Sequence, residues 1–234
     1  MVEADPIDEI GMATPKTMGI VISLLKKDKI KKVLDVGAGK GQLSKKLRSE
    51  GYDVYACDLN TEQYPYENCV YADLDEKLPY SREQFDCLIA EEVIEHLENP
   101  SFTLRELNRI LKIGGVLILT TPNILSIFSR MLFLVSGRFH HFNENTYFSI
   151  GHKTPLPAWL LSHILESSGF KIDCITYNQS YIPLLRIGFD WKTQLMGQTL
   201  IIKARKMKAD EIKITPGEAR ENIKSLEKVK QSYS

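Results

Sequence analysis

Three glycines stand at positions 37, 39 and 41, behind the apolar run Val33-Leu-Asp-Val36 and ahead of Gln42-Leu-Ser44. No other stretch limits the fold as much. A strand, a turn too tight for side chains and the start of a helix must follow one another directly. Glycine takes left-handed backbone without steric cost, and a bare main chain at a helix N-terminus lets a ligand come close.

The rest of the chain keeps the same rhythm. Apolar runs at Asp53 to Cys57, Phe85 to Ala90 and Val116 to Thr120 read as strands, the last entered through a turn at Lys112-Ile-Gly-Gly115. Helical spacing covers Met18 to Leu25 (opened by Thr14-Pro15), Gln42 to Glu50, Ser101 to Leu111 and Pro157 to Ser168. Two final strands, Lys171 to Tyr177 and Thr199 to Ala204, are separated by an irregular aromatic segment from Tyr181 to Trp191. Strands alternating with helices imply an α/β domain with a mostly parallel sheet covered on both faces. Ligands in such sheets bind beyond the carboxyl ends of the strands. The expected organisation is one domain over 1–205, an insertion covering the site over about 124–152, and a charged tail over 206–234 with 7 basic and 5 acidic residues.

Composition narrows the partners. With 43% hydrophobic and 26% charged residues, 234 residues make an ordinary globular chain with one sizeable core. Lys plus Arg equals Asp plus Glu at 30 each, so the basic excess typical of nucleic-acid binding is missing. Cys57, Cys69, Cys87 and Cys174 are scattered, and the acidic start Val2 to Glu9 does not resemble a signal peptide, which suggests a reduced, cytoplasmic protein. The longest apolar stretch, Ile124 to Val135, is too short for a membrane span and contains Ser and Arg.

Two ligand classes use a strand, glycine turn and helix: dinucleotides and S-adenosyl-L-methionine. A dinucleotide loop wants G-x-G-x-x-G, and Gln42 occupies its third glycine position. The observed pattern is instead Asp35 within the strand, then G-x-G-x-G. Asp58 ends the second strand, where a carboxylate can accept both ribose hydroxyls. Asp73 follows a short third strand and could accept from an adenine amino group. The alternative for either aspartate is a solvated loop residue or a helix cap.

Together, Val33-Leu-Asp-Val-Gly-Ala-Gly-Lys-Gly41, Cys57-Asp58, Ala72-Asp-Leu74, Glu91-Glu-Val-Ile-Glu-His-Leu97 and Leu111-Lys-Ile-Gly-Gly-Val-Leu-Ile-Leu-Thr-Thr-Pro-Asn123 resemble the successive motifs of class I S-adenosylmethionine-dependent methyltransferases. The resemblance implies a Rossmann-like, seven-stranded, mostly parallel sheet whose last strand, Thr199 to Ala204, runs antiparallel. It also implies roles for single residues. Gly37, Ala38, Gly39 and Gly41 would cradle the amino-acid half of the cofactor. Asp35 would support that loop or hold the ammonium through water. Asp58 and Leu59 would flank the ribose, Asp73 and Leu74 would meet the adenine, and Glu91 would lie near the transferred methyl.

Glu92-Val-Ile-Glu95-His96 forms a second constellation. On a helix its three polar side chains would share one face, and two carboxylates with an imidazole suit Mg²⁺, Mn²⁺ or Fe²⁺. His152 is the best further ligand, ahead of His140 and His141. The run resembles the metal site of small-RNA 3′-terminal 2′-O-methyltransferases and a similar run in ubiquinone-pathway O-methyltransferases. Without a metal, His96 is the leading general base and Glu92 its acidic companion.

The insertion carries the acceptor's identity. Phe128, Met131, Leu132 and Val135 fall at helical spacing, as expected of a lid helix, a dimer contact or a face for peripheral lipid contact. The leading expectation is a monomeric or dimeric enzyme methylating an oxygen of a small-molecule, sugar or lipid-linked acceptor. The alternatives are an RNA-terminal 2′-O-methyltransferase with a divalent metal, for which the charge balance is unfavourable, and a cofactor-binding regulatory protein.

Overall fold

The computed structural model describes residues 15–178, 180–182, 187–189 and 193–208. Helix α1 (Pro15–Leu25) precedes β1 (Lys32–Val36), α2 (Gln42–Ser49), β2 (Asp53–Asp58), β3 (Cys69–Tyr71) and β4 (Phe85–Glu91). Then come α3 (Pro100–Ile110), β5 (Leu111–Pro122), α4 (Ile127–Ser136), α5 (Glu144–Ser149), α6 (Ala158–Ser167) and β6 (Phe170–Tyr177). A hairpin of β7 (Ser180–Ile182) and β8 (Ile187–Phe189) and the strand β9 (Thr199–Lys206) complete the order.

Seven strands form one sheet in the order β3-β2-β1-β4-β5-β9-β6. The pairings from β3 to β5 are all parallel. Strand β9 is antiparallel to both β5 and β6, as expected for Thr199 to Ala204, and continues to Lys206. Each strand side feeds a different core. Val33, Cys87, Ile89, Val116 and Ile118 pack with Val21, Leu25 and Leu47 of α1 and α2. Leu34, Leu88, Leu117 and Leu119 pack with Leu104, Leu107, Leu161 and Leu165 of α3 and α6. Central strands buried on both sides are mostly apolar, with Asp35 a buried exception, which is why they read as nearly continuous runs rather than alternating ones.

Two expectations need correction. Lys112 to Gly115 is not a turn ahead of a strand but a bulge inside β5. Leu111 pairs with Phe85 and Val116 with Cys87, so four residues arch opposite Asp86 alone. Gly114 takes φ 74° there, and a Cβ on Gly115 would lie 2.8 Å from the Leu111 side chain. The segment expected to be irregular contains the β7–β8 hairpin, with Ser180 opposite Phe189. Strands of three residues are too short for a period to show. Of the expected tail, only residues up to 208 lie among those described.

Strand order reverses between β1 and β4, the two strands whose carboxyl ends carry Gly37 and Glu91. That is the switch point at which open α/β sheets hold ligands.

Candidate active site

A cleft of about 270 Å³ opens at this switch point. Asp35, Gly37, Ala38 and Gly39 form its floor from β1, and Glu91 and Glu92 its wall from β4. Met18 of α1, Lys40, Gln42, Leu43 and Gln63 close the other sides. Of the expected cofactor residues, five therefore line one cleft: Asp35, Gly37, Ala38, Gly39 and Glu91. Gly41, Asp58, Leu59, Asp73 and Leu74 lie outside its lining.

The glycine turn is left-handed at Gly37, Gly39 and Gly41, with φ 69°, 49° and 72°. Its N–H groups are largely used within the protein, contrary to the expectation that they would face a ligand. Gly37 and Ala38 donate to the Cys57 carbonyl at 2.8 and 3.1 Å, and Gly41 to that of Ala38 at 2.8 Å. Gly39 donates to Asp58 Oδ2 at 2.8 Å, while Asp58 Oδ1 accepts from Asn60 at 2.8 Å. So the role visible for Asp58 is to hold the turn. Asp73 accepts from the Asp75 N–H at 2.9 Å in a local turn, Leu59 is exposed and Leu74 belongs to the core.

Asp35 is buried and accepts from Ser44 Oγ of α2 at 2.6 Å. Burial raises its pKa to about 6 despite the Ser44 bonds. Glu91 rises further, to about 8, through burial and then through repulsion from Asp35 and Glu92. Glu91 Oε1 is buried without a hydrogen-bond partner. An orphaned acceptor beside a buried acid suits a cationic ligand rich in hydroxyl and amino donors, so the residues present fit S-adenosylmethionine.

A prediction follows for Asp35→Asn. Above pH 3.8 the unfolded Asp35 is ionised, while the folded one resists ionisation until about pH 6. Its contribution to stability is therefore fully present below about pH 4 and lost as pH rises through 6. The two-unit shift corresponds to roughly 3 kcal/mol. In urea unfolding of cofactor-free protein, Asp35→Asn is expected to match the unmutated protein near pH 4 and to exceed its stability by roughly 2–3 kcal/mol at pH 7. A stability gap independent of pH would contradict this.

Next to the cleft, Glu92 is not on a helix as expected. It has φ 54°, its N–H donates to Thr120, and only Ile94–His96 form a single 3-10 turn. Its carboxylate accepts from Thr120 Oγ1 at 3.0 Å and lies against that of Glu95. Ligand atoms of Glu95, His96 and His152 instead lie within 4.8 Å of one another. Among the described residues His140 and His141 are not part of this cluster.

The segment that follows β5 brings His152 there. Lys153 and Thr154 N–H both donate to the Glu95 carbonyl at 2.9 Å, tying the returning chain to the 3-10 turn. His152 Nδ1 meets the His141 carbonyl at 2.8 Å, which His141 presents from a left-handed backbone of φ 67°. His96 Nδ1 meets the Gly151 carbonyl at 3.2 Å. A carbonyl only accepts, so both Nδ1 atoms carry hydrogen and both Nε2 atoms keep a lone pair. Burial lowers the pKa of both rings, keeping them neutral. Glu95 is fully buried, with Oε2 accepting from Thr121 Oγ1 at 3.0 Å and Oε1 unpartnered. Burial and then the Glu92 carboxylate hold its pKa well above the usual range, and Glu92 itself is raised to about 7 by burial.

Beside His152 lies a second cavity of about 470 Å³, walled by Phe139, Phe142, Tyr147 and Phe148. Glu91 and Glu92 thus line the first space and His152 the second.

Similarity to known proteins agrees with this arrangement. A SAM-dependent methyltransferase from Archaeoglobus fulgidus superposes with a TM-score of 0.63 at 21% identity, covering 86% of this chain and 98% of that one. Another from Methanosarcina mazei gives 0.56 at 19%, covering 83% and 98%. The ubiquinone biosynthesis O-methyltransferase of Pseudomonas syringae pv. tomato is 33% identical over 107 residues, 40% of this chain and 45% of the relative. The malonyl-acyl-carrier-protein O-methyltransferase of Enterobacter lignolyticus is 33% identical over 97 residues, 38% of each chain. The chain thus matches less than half the length of these curated relatives. Its strand order and switch-point cleft are those of class I S-adenosylmethionine-dependent methyltransferases. Residues 16–175 match the family described as methyltransferase domain, and the chain belongs to that family. No helix among the described residues is long and apolar enough to cross a membrane.

Proposed function

We propose that the protein methylates an oxygen of a small-molecule, sugar or lipid-linked acceptor, with a divalent cation held by Glu95, His96 and His152. The observation that carries this reading is the meeting of those three side chains, Glu95 and His152 buried and His96 half-buried, with His152 also walling the aromatic cavity. Names of the curated relatives, both O-methyltransferases, favour oxygen over nitrogen.

Bound cofactor supplies a methyl group already activated by its sulfonium, so the chain's contribution is alignment. Asp35 and Glu91 would receive the ammonium and hydroxyl donors, the glycine turn would give close contact, and Asp58 with Leu59 would stand by the ribose. Asp73 and Leu74 would border the adenine. The aromatic cavity would hold the acceptor with its hydroxyl toward His96 and His152. Two imidazoles and one carboxylate suit Mn²⁺, Fe²⁺ or Zn²⁺ better than Mg²⁺. A cation there would lower the pKa of the attacking hydroxyl. Without one, His96 Nε2 would take the proton, with Glu92 and Glu95 as its acidic surroundings. Four free thiols, two of them buried, fit a reducing, cytoplasmic setting.

The test follows labelled methyl transfer from S-adenosylmethionine into fractionated small molecules, lipids and RNA. Label is expected in small molecules or lipids. A chelator is expected to lower the rate roughly 100-fold or more, with Mn²⁺ restoring it. Label confined to RNA would overturn the acceptor reading, and indifference to chelator would remove the cation.

A further inference from the structure

The cleft at the switch point is short of positive charge. Three carboxylates, Asp35, Glu91 and Glu92, line it, and among the described lining residues Lys40 is the one cation. S-adenosylmethionine carries two positive groups, a sulfonium and an ammonium, which buried acids suit. It also carries an α-carboxylate, which the same acids repel. A donor in the cleft has to receive that group.

The main chain of the glycine turn has little left to offer. The N–H groups of Gly37, Ala38 and Gly41 go to carbonyls, and that of Gly39 goes to Asp58. At the start of α2, the Ser44 N–H and hydroxyl both serve Asp35. Gln42 and Gln63 bring neutral amides only.

Lys40 is different. It stands between the left-handed Gly39 and Gly41, exposed at the edge of the cleft. Other lysines are neutralised within the protein, Lys46 by Glu50, Lys112 by Asp86 and Lys153 by Glu98. Among the described residues the Lys40 ammonium has neither a carboxylate nor a hydrogen-bond partner. Three donors on a flexible four-carbon stem can turn toward a ligand, and a bond from ammonium to carboxylate is charge-assisted.

We propose that Lys40 receives the α-carboxylate of S-adenosylmethionine and so makes the cleft select for cofactors that keep this group. The proposal rests on S-adenosylmethionine being the ligand of the cleft.

Calorimetric titration of the full chain with S-adenosylmethionine and with its decarboxylated analogue tests it. The analogue keeps the sulfonium, amine, ribose and adenine. The unmutated protein is expected to bind S-adenosylmethionine roughly tenfold or more tightly than the analogue. Lys40→Met is expected to weaken S-adenosylmethionine roughly tenfold, while affinity for the analogue holds or rises because a repelling cation has gone. Lys40→Arg, which keeps charge and donors, should stay within about threefold of the unmutated protein for both ligands. Lys45→Met removes the same charge from a neighbouring residue outside the cleft lining and should change neither affinity by more than about twofold. The thermal midpoint of Lys40→Met should not move, since the side chain is exposed.

Equal affinity of the unmutated protein for the two ligands would overturn the proposal. So would a parallel loss of both in Lys40→Met, or the same selective loss in Lys45→Met. Binding of neither ligand by the unmutated protein would instead remove the cofactor reading itself, and the proposal with it.

Discussion

Gly37→Ala is expected to lower cofactor affinity by at least about 100-fold and to destabilise the fold by roughly 2–4 kcal/mol. A Cβ at this position would stand 2.6 Å from Val93 Cγ2, on a backbone at φ 69° that L side chains rarely adopt. Val93 belongs to the core cluster beneath β4, so it cannot move aside without opening the wall that carries Glu92. Gly39→Ala separates the two effects. Nothing lies within 4 Å of its Cβ position, and only the left-handed backbone at φ 49° opposes the methyl. It should cost roughly 1 kcal/mol in folding, yet lower cofactor affinity because the new methyl occupies the cleft. Urea unfolding and cofactor titration on both variants check this. Equal loss of stability in the two would contradict the geometry of the turn.

Glu95→Gln is expected to lower kcat by roughly 10²–10⁴-fold while leaving cofactor affinity within about threefold. The amide keeps an oxygen for Thr121 and removes a carboxyl whose ionised form is opposed by burial, so folding should not suffer. His152→Gln should act the same way, because the His141 carbonyl orients the ring without contributing to the cofactor cleft. Steady-state kinetics with saturating cofactor is the measurement. A variant that loses only stability, with normal kcat in the folded fraction, would reassign the cluster to a packing role.

Some of this was legible in the sequence and some was not, for physical reasons. The glycine turn, Asp35 and Glu91 could be placed because a strand followed by a bare turn fixes where the main chain must go. His152 could be named as a partner for Glu95 and His96, though the clamp that delivers it, two N–H groups on the Glu95 carbonyl, is long-range and leaves no local trace. Helical spacing does not hold across Glu92 because this residue takes a left-handed backbone, which a glutamate does not advertise. Met18 and Gln63 in the cleft come from α1 and from the 3-10 turn after β2, elements whose spacing shows a core face but not which end of it meets a ligand. The bond from Asp58 to Gly39 depends on how two strand ends approach, again a tertiary fact.

Calorimetric titration of the unmutated protein with S-adenosylmethionine, beside the same titration with NAD, tests the central claim most directly. The structure calls for one saturable site for the sulfonium, lost in Gly37→Ala, and no heat from the dinucleotide. No binding of S-adenosylmethionine, or binding that Gly37→Ala leaves intact, would contradict the assignment of the switch-point cleft.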